Sequence, residues 1–177
     1  MEVSYVSNNS IKIKTKKTTL VVDPDGKTPA DVALFTSSGT QASYHSPNTV
    51  YKVCIVGPGE FEVGGVMIKV RRLDGHLLFQ LYGSDGSLFL LPSSVTGQVK
   101  EEEEEQDAVV IHVEGKLDDR IFSQFASKLF VLYGDASFLS FPAETLTTLS
   151  SINLSKHGLI AGKMANAPSN IILLSRN

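Results

Sequence analysis

The chain has 177 residues, which fits one domain over residues 1–177 with enough length to bury a real core. Its 16 Lys and Arg stand against 19 Asp and Glu, so there is no broad positive field of the kind that attracts nucleic acid or anionic membranes. No apolar run approaches the roughly 20 residues of a membrane-crossing helix, and the first residues lack the pattern of a secretory signal, so the reducing cytoplasm is the expected compartment.

The first half reads as a series of short strands. "SIKIKT" alternates strictly, with Ile11 and Ile13 on one face and Lys12 and Lys14 on the other, the pattern of a strand with one wet side. "TTLVVDP" is apolar through its centre and should lie deeper, ending at Pro24 and the Asp25-Gly26 pair. "DVALF", "YKVCIVG", "EFEV", "VMIKVRR", "HLLFQLYG" and "SLFLL" continue the series as an antiparallel meander. The Asp-Gly pairs before His76 and before Ser87 suit tight hairpins, and the glycines of "GPGEFEVGG" read as turns. Cys54, the one cysteine, sits in an apolar run and reads as a small buried side chain.

A run of five glutamates, Glu101–Glu105, separates the halves and reads as a solvated loop or frayed helix. The second half alternates types. "DAVVIHV" is a buried strand, and "DDRIFSQFASKL" places Ile121, Phe125 and Leu129 four apart, predicting a helix with Asp118 and Asp119 in its first turn. "LFVLYG" is a strand, "PAETLTTLSS" a short helix opened by Pro142, and "GLIAGK" and "NIILLS" are further strands. Strand, helix and strand in succession predict a parallel crossover.

The order of these segments resembles the metallo-β-lactamase superfamily, in particular its short branch of ascorbate-6-phosphate lactonase-like hydrolases. "VSYVSNNSIKIKTKKTTLVVDP", "ADVALFT", "GPGEFEVGGVMIKV", "HLLFQLYGSDGSLFLL", "DAVVIHVEG", "SKLFVLYGD" and "APSNIILL" carry the likeness over nearly the whole chain. It implies an α/β (α+β) fold, a two-sheet αββα-type sandwich with a strand-rich first half and a reduced set of helices.

The resemblance also locates a divalent-metal site, and there the residues depart from it. The H-x-H-x-D-H ligand positions fall on Ser37, Gly39, Gln41 and Ala42. The His-Leu-Gly-Asp segment falls on Leu91, Pro92, Ser93 and Ser94, the final metal histidine near Gly134, and the early histidine on Asn8. None of these is a strong ligand, and without the ion a bound water is a poor nucleophile near pH 7. Asp23 matches a family position and is expected to be structural, capping the turn with Pro24.

No catalytic residues and no metal or other cofactor are therefore expected, and the reading is a non-catalytic module kept for binding or assembly. Its partner is another protein or a second copy, with Phe138 and Phe141 as candidate surface residues. The alternative is a small hydrolase with zinc or another divalent metal in a relocated site built from His45, His112 and Asp85 or Glu114. The favoured reading of His45, His76, His112 and His157 is as ordinary surface or hydrogen-bonded histidines, and a Ser37, His45, Asp135 triad has no nucleophile elbow to support it.

Overall fold

The computed structural model describes residues 1–37, 51–99, 105–127, 129–141, 146–154 and 170–176. In chain order the strands are β1 (Glu2–Ser7), β2 (Ser10–Lys14), β3 (Thr19–Val22), β4 (Val32–Leu34), β5 (Val53–Ile55), β6 (Gly59–Val63), β7 (Val66–Leu73), β8 (His76–Gly83) and β9 (Gly86–Pro92). They continue with β10 (Ala108–Val113), β11 (Leu129–Gly134), β12 (Thr147–Leu149), β13 (Ser151–Asn153) and β14 (Asn170–Leu174).

These strands form two sheets, ordered β13-β1-β2-β3-β4-β5 and β12-β14-β11-β10-β9-β8-β7-β6. Alternation explains how they stack. In β2, Ile11 and Ile13 are fully buried while Lys14 is exposed, as the strict apolar-polar pattern requires. Those isoleucines, with Leu20 and Leu34, meet Ile68, Leu90 and Val110 of the second sheet in one buried cluster. Each such side chain contributes roughly 1.5–3 kcal/mol on burial.

The outer face of the second sheet carries another apolar cluster, in which Phe89, Ile111 and Phe130 are covered by Val95, Ile121 and Phe125. The covering segments are 3₁₀ turns, Ser93–Gln98 and Asp119–Ser123, rather than long helices. The fold is thus the expected sandwich with sparse helices, and among the described residues no helix is long and apolar enough to cross a membrane.

Five expectations need correction. The first half is not one antiparallel meander: β3, β4 and β5 pair in parallel within the first sheet, whereas β6 to β9 are the antiparallel part of the second. The helix over residues 118–129 is a 3₁₀ turn at Asp119–Ser123, because Leu129 is drawn into β11 by parallel pairing with Asn170. Within "PAETLTTLSS", Thr147–Leu149 is strand β12, in keeping with the poor helix propensity of consecutive threonines. Cys54 is exposed, since β5 lies at a sheet edge and its alternation turns Val53 and Ile55 inward instead. Phe141 is half-buried, with its ring 5.4 Å from that of Phe122 in the outer cluster, which leaves Phe138 as the exposed member of the pair. "GLIAGK", Glu101–Glu104, Pro142 and His157 lie outside the described residues.

The turns follow their chemistry. Asp74 and Gly75 have φ of 48° and 82°, the left-handed pair of a tight primed turn between β7 and β8. The β10–β11 pairing is parallel, as the crossover predicted.

Candidate functional site

The carboxyl ends of β9, β10 and β11 in the second sheet meet the ends of β3 and β4 in the first, giving one mouth to the sandwich. Parallel strands characteristically present ligand-binding side chains at this end. The two sheets are joined there by a bridge between Ser37 and His76 and by the Leu77 N–H donating to the Thr36 carbonyl at 2.7 Å.

From the first sheet comes Asp23, buried immediately after β3 with a φ of 44°. Its carboxylate accepts hydrogen bonds from the backbone N–H of Thr36, at 2.8 Å, and from the Thr36 hydroxyl. These bonds tie the end of β3 to the end of β4 across thirteen residues, whereas the sequence suggested a cap on the turn with Pro24.

From the second sheet comes His112. Its inward-facing position in β10 places its ring 4.8 Å from that of Tyr133 and nearly parallel to it, and both residues are buried. Desolvation holds the His112 pKa below the ordinary histidine range, against the upward pull of the Glu114 and Asp23 carboxylates. His112 Nδ1 is buried and without a hydrogen-bond partner. The Tyr133 hydroxyl is likewise buried and unpartnered, and burial pushes its pKa well up.

Glu114 follows directly on β10 and gathers the rest. The Ser94 hydroxyl donates to its Oε1 at 2.6 Å, His76 Nε2 lies 4.0 Å from Oε1, and His112 Nδ1 lies 3.7 Å from Oε2. Ser94 Oγ is also 3.4 Å from His76 Nε2. Ser93 fixes the turn beneath, its hydroxyl oxygen accepting the backbone N–H groups of Glu114 and Gly115 at 3.2 and 3.1 Å.

Of the proposed relocated metal site, the structure brings His112 and Glu114 together and adds His76 and Ser94, which the sequence offered no reason to join. The missed signal was topological: "LPSS" and "HVEG" end neighbouring parallel strands, so their last residues must lie side by side. Asp85 does not belong. It sits in the β8–β9 turn at the amino-terminal end of β9, paired with the Met1 amine at 3.0 Å. The Asp135 carboxylate accepts the Ser137 N–H at 2.9 Å, capping a 3₁₀ turn. Gly39, Gln41, Ala42 and His45 lie outside the described residues.

Several of the described positions onto which the resemblance carries metal ligands are engaged in other contacts. Asn8 accepts the Tyr5 hydroxyl on its side chain, Leu91 is buried in the outer apolar cluster, and Ser94 supplies a neutral hydroxyl. Gly134 is the most telling. Its φ is 122°, and a Cβ there would stand 2.3 Å from the Val113 carbonyl oxygen. No histidine fits without moving the backbone. Among the described residues, no three His, Cys, Asp or Glu side chains converge where an ion could sit.

No protein-family model matches the chain, and no curated relative does. Solved structures do. The fold is similar over 98% of this chain and 98% of the other to a crystal structure assigned as a Zn-dependent hydrolase of the metallo-β-lactamase superfamily from Thermotoga maritima, with a TM-score of 0.63 and 14% identity. An isothiocyanate hydrolase from Delia radicum gut bacteria matches at a TM-score of 0.55 and 10% identity, over 99% of this chain and 96% of that one. The metallo-β-lactamase fold protein YhfI from Bacillus subtilis matches at 0.52 and 10%, over 99% and 96%. The class defined by sheet order and mouth is therefore a two-sheet sandwich with a polar opening at its strand ends. In particular, this chain has the metallo-β-lactamase fold.

Proposed function

We propose that this protein is a metal-free, non-catalytic domain of metallo-β-lactamase fold, kept as a binding or assembly module. Gly134 carries the reading: the position matched to the last metal histidine adopts a backbone that excludes a side chain, so the loss involves geometry as well as residue type. Ser94 points the same way, since a hydroxyl cannot supply the charge of the aspartate it stands for and instead donates to Glu114. Elemental analysis of protein purified without chelators tests this. The expected result is substoichiometric zinc, manganese and iron; one equivalent of any of them would overturn it.

A second reading, a small hydrolase with a relocated divalent metal, draws support from the meeting of His112, Glu114 and His76. It is disfavoured because the two imidazoles approach different oxygens of one carboxylate and the three groups do not share a focus. The same metal analysis separates the readings. For the assembly role, the exposed Phe138 is the proposed contact with a protein partner or a second copy, and mass measurement in solution, with Phe138→Ser as control, tests self-association. We place the protein in the cytoplasm, without a nucleic-acid partner, on its near-balanced charge.

A further inference from the structure

We draw no further inference here: the strongest candidate, the shallow hollow on the outer face of β7 and β8 lined by Glu60, Lys69, Arg71 and Gln80, is open to solvent, and nothing among the described residues shows what covers it.

Discussion

The two halves of the mouth hold a carboxylate in opposite ways, Asp23 buried and Glu114 exposed. On the first sheet, Asp23 is closed in, with both oxygens bonded to the backbone and hydroxyl of Thr36. On the second, Glu114 shares one oxygen with Ser94 and turns the other toward a histidine nitrogen that gives it nothing. A satisfied charge of the first kind holds strands in place, and an unsatisfied group of the second kind weakens the fold unless it serves a ligand. One corner of the mouth is tied to its neighbours and the other opens to solvent.

The comparison can be broken or sharpened by substitution. The largest effect is expected from Gly134→His, which restores the residue type implied by the resemblance but drives a side chain into the Val113 carbonyl. Destabilisation on the order of 4 kcal/mol is expected, read by chemical denaturation. A variant that folded as well as the natural chain and took up zinc would show the backbone to be permissive. Asp23→Ala should cost about 3 kcal/mol by orphaning the Thr36 N–H and hydroxyl, more than the same change at Glu114. Equal losses at the two carboxylates would erase the contrast.

Acid should act on the open corner. His112 has its folded pKa below the unfolded value near 6.5. Between those values the unfolded chain binds more protons, so the contribution is fully present above about pH 6.5 and is lost as pH falls through the folded value. His112→Gln should flatten that part of a stability-against-pH curve. Tyr133→Phe removes a buried hydroxyl with no partner and should stabilise by about 1 kcal/mol, raising the melting temperature by about 3 °C. The smallest effect belongs to Cys54: an exposed thiol should react fully with a disulfide reagent in the native state, though slowly at neutral pH because partial burial raises its pKa.

Much of the fold was legible because strands with one wet face advertise it. Ile11 and Ile13 against Lys12 and Lys14 specify β2 without help, and the Asp74-Gly75 turn specifies its hairpin. Sheet membership was not legible, because local pattern does not reveal whether β3 pairs with β2 alone or also with β4 in parallel. The pattern at Ile121, Phe125 and Leu129 misled for a related reason: apolar residues four apart satisfy a helix, but they also suit a 3₁₀ turn over a sheet followed by the first residue of a strand. At the mouth, His112 and Glu114 were visible as candidates, whereas His76 and Ser94 are 18 residues apart and meet only through the pairing of β8, β9 and β10. Asp85 was misplaced since nothing in "SDG" reveals that the Met1 amine folds back onto it.

The squeeze of β11 against β10 at Gly134 also bears on which substitutions are reachable. A position where only the residue type is constrained can change in one step, but one where the main chain fills the space a side chain needs must first give up that packing, and each intermediate would fold less well than its parent. The narrowing thus sets an order on change here: the pairing of β10 with β11 has to loosen before any side chain can enter at residue 134.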